Sequence, residues 1–302
     1  RGDWWLNMIL PEGAEAKHDL SAYAPCAEGT DKLGEESALV LTAHLPRLDG
    51  ATALYPVYAA LAEAVYDKNN FSPSDVLCTN TRGAYKAIMS GERDIAFVAV
   101  ASRKQLAEAR STGKNLHFTP IGREAFVFLA AKSNPIDNVT YQQIRNIYSG
   151  KTADWGTLGW PDGGRIIAFQ RPEGSGSQTG LQNIMGDLPI QAPQPVPDAS
   201  LIGTNSLMRQ ISVEWHGVRP AIGYSYRYFA TTMYANHEAK ILNINGVEPS
   251  MENIRNGDYP FIVDFYAVTS GEPKGNSKLF IDWILSPQGQ KIIEKTGYTP
   301  IK

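Results

Sequence analysis

Two nearly uninterrupted apolar runs, residues 94–100 (DIAFVAV) and 124–131 (EAFVFLAA), constrain this chain more than any other feature. Runs of this length and composition are strands covered on both faces, as in a parallel sheet packed between helices. Segments between and after them have helical spacing, and several open on glycine-marked turns. A strand at 45–48 is followed by Asp49-Gly50-Ala51-Thr52-Ala53 and by the apolar-periodic stretch 54–66. Thr52 is a candidate N-cap, Pro56 falls in the first turn where its missing N–H is harmless, and Val57, Leu61, Ala64 and Val65 make one buried face. A second turn, Thr79-Asn80-Thr81-Arg82-Gly83, opens a helix capped by Thr81 or Asn80 that runs to Ser90 and stops at Gly91. Arg82 sits in its first turn, where a positive charge costs a few tenths of a kcal/mol unless an anion or carboxylate offsets it. A solvated arginine is the alternative reading. Alternating strands and helices specify an α/β fold with right-handed crossovers, in which ligands sit beyond the carboxyl ends of strands.

A third turn, Arg171-Pro172-Glu173-Gly174-Ser175-Gly176-Ser177-Gln178-Thr179, follows the apolar run 166–169. Ser175 stands as an N-cap with Gln178 three residues on, the spacing of a capping box. Helix N-termini present N–H donors and roughly half a positive charge, and Arg171 adds a fork of donors suited to a tetrahedral oxyanion. Spacing alone supports two readings equally: an anion cradle, or a capped helix with Arg171 paired to a surface carboxylate. Further along, Thr140 and Gln143 form another capping box for a helix closed by Gly150. Residues 187–199 hold four prolines and read as a surface connection. Residues 221–226 and 262–269 read as strands, and 277–295 as a closing helix with a Ser286-Pro287 step inside it.

At 302 residues the chain is long for one core and suggests about two domains. Hydrophobic residues at 43% and charged residues at 20% describe an ordinary folded protein. A net charge of -3 without Lys/Arg runs argues against nucleic-acid binding and against a membrane-surface patch. No window approaches the roughly 18 apolar residues that span a bilayer, and the first residues do not resemble a signal peptide, so the chain reads as mature or trimmed. Cys26 and Cys78 fit either one disulfide or two buried thiols. The five histidines show neither HxH nor HExxH spacing, so no metal and no cofactor is expected. Nucleophile-elbow, Walker A and dinucleotide signatures do not occur, and no paired carboxylates or Ser/His arrangement suggests an enzyme.

Several phrases together resemble the periplasmic phosphate-binding proteins of ABC importers, a branch of the type II periplasmic-binding fold. The likeness runs from about residue 45 to residue 301. Ser133-Asn134-Pro135-Ile136, followed by Gln143-Ile144-Arg145-Asn146-Ile147-Tyr148-Ser149-Gly150 and Trp155, is similar to one family segment. Arg171-Pro172-Glu173-Gly174-Ser175-Gly176-Ser177 resembles the family's phosphate loop, and Leu285-Ser286-Pro287-Gln288-Gly289-Gln290 with Gly297-Tyr298-Thr299-Pro300 its closing segment. The resemblance implies that Arg171 clamps phosphate and that Ser175, Gly176 and Ser177 donate hydroxyl and backbone hydrogens. It also implies ligand contact at Thr52, at the backbone of Ala53 and at Thr81, and Arg82 joins the candidate site through its place in the first turn beside Thr81. Members of the family commonly carry an aspartate after the strand equivalent to 94–100, where it accepts the proton of monohydrogen phosphate. Here Val98-Ala99-Val100-Ala101 holds no carboxylate. A carboxylate there favours phosphate over the proton-free sulfate, so the ligand stands between the two, with Glu173 as the substitute acceptor or a merely solvated side chain.

The expected architecture is therefore a two-lobed type II periplasmic-binding fold, each lobe a mostly parallel sheet flanked by helices, with the ligand between the lobes. An N-terminal extension would cover 1–40, one lobe 41–122 plus 265–302, and the other 123–264. The expected function is non-enzymatic capture of a small oxyanion, inorganic phosphate first, outside the cytoplasm, with an ABC permease or a membrane anchor of its own as partner. A membrane-tethered sensor or interaction module on the same fold is the alternative.

Overall fold

The structure, a computed structural model, describes residues 19–171, 173–192, 220–233, 235 and 238–301. Trp4 and Trp5 of the expected extension, and residues 193–199 of the proline-rich connection, lie outside them. The strands are β1 (Leu48–Gly50), β2 (Ile95–Val98), β3 (Leu116–Ala131), β4 (Asn138–Val139), β5 (Ile167–Ala168), β6 (Ala221–Tyr226), β7 (Ala239–Ile241), β8 (Asn243–Ile244), β9 (Ile262–Ser270) and β10 (Thr299–Pro300). The α-helices are α1 (Tyr55–Val65), α2 (Asn80–Ser90), α3 (Arg103–Ser111), α4 (Tyr141–Tyr148), α5 (Gly176–Met185), α6 (Met251–Asn256), α7 (Gly275–Ile284) and α8 (Pro287–Lys295).

The chain divides into two compact units. A terminal unit comprises Asp19–Glu124, Gly174–Thr179 and Val263–Lys302, and a central unit is built from Ala125–Glu173 and Gly180–Ile262. In the terminal unit β1 lies parallel to β2, with Asp49 opposite Ala96, while β2 runs antiparallel to β9 and β10 antiparallel to β3. Helix α1 is buried along nearly its whole length, which its alanines permit by allowing close approach. Tyr58 of α1 stacks on Phe97 of β2 at 5.1 Å. Residues 19–41 belong to this unit and pack on α8: Leu33 is buried, Lys291 pairs with Glu35 at 2.7 Å, and Gln288 donates to the Glu36 carbonyl. Cys26 and Cys78 are both free thiols, Cys26 exposed and Cys78 half-buried.

In the central unit β6 pairs antiparallel with β3 and parallel with β5, β7 pairs antiparallel with β3, and β4 lies parallel to β8. Its core is aromatic. Phe126, Phe128, Tyr148 and Tyr224 are each at or near zero exposure, and Phe126 stacks on Tyr224 at 5.4 Å. Trp155, fully buried, donates its indole N–H to the Pro220 carbonyl at 2.6 Å. Helix α4 opens on the expected box: Gln143 N donates to Thr140 Oγ1 at 3.1 Å and Thr140 N to Gln143 Oε1 at 2.7 Å.

Two expectations change. The fold is α/β, but the sheets are mixed rather than mostly parallel, because β3 and β9 run against their neighbours. A fully buried strand is apolar throughout whichever way its neighbour runs, so composition did not carry the direction. The closing segment is two helices, α7 and α8. Pro287 lacks the N–H that would continue α7, and Ser286 starts the next helix by accepting from Gly289 N.

Gly180 lies inside α5, where alanine would normally stabilise a helix by up to about 1 kcal/mol. A Cβ there would stand 2.5 Å from the buried Phe126 ring. Gly180→Ala is therefore expected to destabilise the protein by about 1–3 kcal/mol in thermal unfolding, and a stabilised variant would contradict this packing. Burial raises the pKa of Tyr58, Tyr66, Tyr148, Tyr224 and Tyr259 above the ordinary 10.0. The folded state thus holds these protons more tightly than the unfolded chain. Their contribution to stability is complete below pH ~10 and is lost as pH rises towards the folded values. Phenolate absorbance should show this subset ionising only with unfolding, whereas a single smooth titration of all 14 tyrosines would refute it.

Candidate functional site

Strand β1 ends in a wholly buried Leu48-Asp49-Gly50. A Cβ on Gly50 would meet the Phe97 carbonyl oxygen and the Tyr58 ring, each at 2.6 Å, so only glycine fits between them. The chain continues through Ala51, whose N–H donates to Phe97 O at 2.9 Å, into a 3-10 turn over Thr52–Leu54. Thr52 caps nothing with its side chain, contrary to the expected N-cap; its hydroxyl accepts from the Cys78 thiol at 3.9 Å. The Tyr298 hydroxyl donates to the Ala53 carbonyl and holds the turn from below.

The second turn is fixed to the first by Asp49. Its carboxylate, at zero exposure, accepts Gly50 N at 2.7 Å, Thr79 N at 2.8 Å and Thr79 Oγ1 at 2.6 Å. Of the two candidate caps for α2, Asn80 serves: its Oδ1 accepts Arg82 N at 3.0 Å and Gly83 N at 3.1 Å. Asn80 adopts φ 70°, a left-handed conformation that asparagine tolerates better than most residues. Gly83 is required, since a Cβ would lie 2.3 Å from Thr79 Oγ1.

The third turn is split between the units. Arg171 belongs to the central unit, where its N–H donates at 2.8 Å to the hydroxyl of buried Tyr224. Exposed Glu173 accepts from Gln182 at 2.7 Å. Gly174–Thr179 belong to the terminal unit, together with the turns at 50–53 and 79–83. There Ser175 does what its spacing predicts, accepting from Gln178 N at 3.2 Å at the start of α5. A Cβ at Gly176 would stand 2.9 Å from the hydroxyl oxygen of buried Thr81, and one at Gly174 would stand 3.4 Å from Arg82 Nε. The start of α2 and the start of α5 therefore meet, with Thr81 and Arg82 against Gly174–Gly176.

A third helix start joins them. Buried Ser102 and Gln105 form a reciprocal capping box on α3, and the Gln105 amide reaches the Gly174 carbonyl at 3.5 Å. Sequence reasoning missed this pair although the Ser-x-x-Gln spacing signals it. It also missed Asp49, which looked like one more turn residue. Where an acidic acceptor was sought, Val98, Ala99 and Ala101 are buried, and the Ala99 carbonyl is taken by the Tyr85 hydroxyl at 2.9 Å. Among the described residues no three His, Cys, Asp or Glu side chains cluster as a metal cage. Three helix N-termini, hydroxyls and a guanidinium gathered in this way attract an anion.

Known proteins resemble this chain in sequence and in fold. A family model described as the PBP superfamily domain matches residues 42–288. The phosphate-binding protein PstS of Bacillus subtilis is 26% identical over 259 residues, covering 84% of this chain and 80% of that protein. The protein SphX of Synechococcus elongatus is 24% identical over 270 residues, covering 84% and 76%. Among solved structures, a phosphate-bound substrate-binding protein of a phosphate ABC transporter from Clostridium perfringens superposes with a TM-score of 0.63 at 25% identity, covering 84% of this chain and 98% of its own. A phosphate transport receptor from Vibrio cholerae gives 0.59 at 18%, covering 83% and 98%. The family match takes in the turns at 50–53, 79–83 and 174–179 as well as the strands that precede them, and the chain belongs to the PBP superfamily, with the type II periplasmic-binding fold.

Proposed function

We propose that this protein is a non-enzymatic, extracytoplasmic solute-binding protein that captures inorganic phosphate for ABC-type uptake. The observation that carries the reading is the meeting of the α2, α3 and α5 starts at Gly174–Gly176 with Arg82 beside them. The relatives support phosphate as the anion and transport as the context, ahead of a sensor role. In this reading the backbone of Ala53 and Gly176, the hydroxyls of Thr52, Thr81, Ser175 and Ser177, and the guanidiniums of Arg82 and Arg171 donate to the phosphate oxygens. Sulfate offers the same acceptors without a proton, so it is the natural competitor where no carboxylate follows β2. The partner to which phosphate is handed is an ABC permease, with the protein held at the outer face of the membrane.

Calorimetric titration with phosphate, sulfate and a phosphate monoester tests the reading. Saturable heat from inorganic phosphate is expected, and no heat from any of the three would overturn it. Arg171→Ala is expected to weaken phosphate binding by about 1.5–3 kcal/mol, the worth of hydrogen bonds to a charged group, with little change in the melting temperature. An unchanged affinity would remove Arg171 from the site.

A further inference from the structure

The most completely buried carboxylate in the terminal unit is not at the ligand's expected acceptor position but one strand away, on β1. Asp49 lies opposite Ala96 of β2 and has zero exposure. Burying a carboxylate is costly unless donors satisfy it, and each donor to Asp49 belongs to one of the two glycine-marked turns. Gly50 N comes from the first, and Thr79 N and Oγ1 come from the second. Both carboxylate oxygens are thus occupied: Oδ1 by two backbone N–H groups and Oδ2 by the hydroxyl. Occupied and inaccessible, Asp49 does not itself touch a bound ligand. What it fixes is Thr79, the residue from which α2 departs, and through it the direction in which the first amides of α2 point.

We infer that Asp49 is a positioning residue for oxyanion binding, acting through the Thr79 hydroxyl to hold the start of α2 in its binding orientation. The inference rests on the phosphate-binding reading given above. Two features make the attachment consequential. Asn80, directly after Thr79, is held at a positive φ, and its side chain accepts the amides of Arg82 and Gly83. Gly83 in turn leaves room for the Thr79 side chain, 2.3 Å from where its Cβ would be. Release of Thr79 therefore loosens the turn that carries Thr81 and Arg82. Because its proton goes to Asp49, the Thr79 hydroxyl oxygen is also left with acceptor capacity only.

Asp49→Asn keeps the shape and the acceptor at Oδ1 but exchanges the charged acceptor of the Thr79 hydroxyl for an amide N–H, so that the 2.6 Å charge-assisted bond is replaced by a weaker, reversed one between neutral groups. Thr79→Val removes the hydroxyl from the other side, and Thr79→Ser keeps it. The expected result, read by calorimetry well below the melting temperature, is that Asp49→Asn and Thr79→Val each raise the Kd for inorganic phosphate about tenfold. Thr79→Ser should bind like the wild type, and the Asp49→Asn/Thr79→Val double variant should be no weaker than the worse single variant. Amide hydrogen exchange at Thr81–Gly83 should accelerate in both weakened variants without phosphate present. A carboxylate that only stabilises the fold would lower the melting temperature and leave the Kd of the folded protein and these exchange rates unchanged, which would overturn the inference. Should Asp49→Asn not fold, Thr79→Val against Thr79→Ser carries the same comparison. Wild-type protein that binds no phosphate would instead refute the proposed function, and the exchange rates would then decide for or against Asp49 alone.

Discussion

Helix starts of like polarity do not gather without compensation. Each carries roughly half a positive charge and N–H groups that its own helix leaves unbonded. In the terminal unit the starts of α2, α3 and α5 approach within side-chain contact at Gly174–Gly176, and Arg82 adds a full positive charge. Side-chain caps offset part of this: Asn80 on α2, Ser102 with Gln105 on α3, and Ser175 on α5. Their oxygens are dipoles, not charges. In the proposed function, an anion at this place offsets what the convergence costs.

The convergence depends on absent side chains. Gly176 admits the Thr81 hydroxyl, Gly174 takes a left-handed φ of 80° that side chains resist, and Gly50 lets β1 turn between Phe97 and Tyr58. Beneath these glycines lies a rigid support. Asp49 fastens one turn to the next, Tyr58 donates to the Leu77 carbonyl at 2.8 Å, and Tyr298 holds Ala53. Rigid support matters because an oxyanion site works through donors already aimed, so that binding does not spend its energy ordering them.

Much of this was legible from local chemistry. The capping boxes at Thr140 and Ser175, the glycine stop at Gly91 and the apolar runs became β2, β3 and the helices α2, α4 and α5, because each signal acts within a few residues. Strand direction was not legible, since β3 and β9 would be equally apolar in either orientation. Nor was the closing break, although Ser286-Pro287 marked it: proline at a first helical position and proline inside a helix look alike until the cap is seen. Asp49 escaped for a different reason. An aspartate beside a glycine is ordinary turn chemistry, and only the tertiary contact with Thr79, thirty residues away in sequence, turns it into a buried brace. The same limit applied to the third turn, whose nine residues read as one cradle but divide between the units after Glu173.

The central claim is that the starts of α2 and α5 receive phosphate, and backbone amide resonances report on it directly. Titrating inorganic phosphate into isotopically labelled protein should shift the amides of Thr81, Arg82, Ser175, Gly176 and Ser177 most, saturating together at one affinity. Phosphate that binds while those amides stay in place, with the largest shifts elsewhere, would contradict the account.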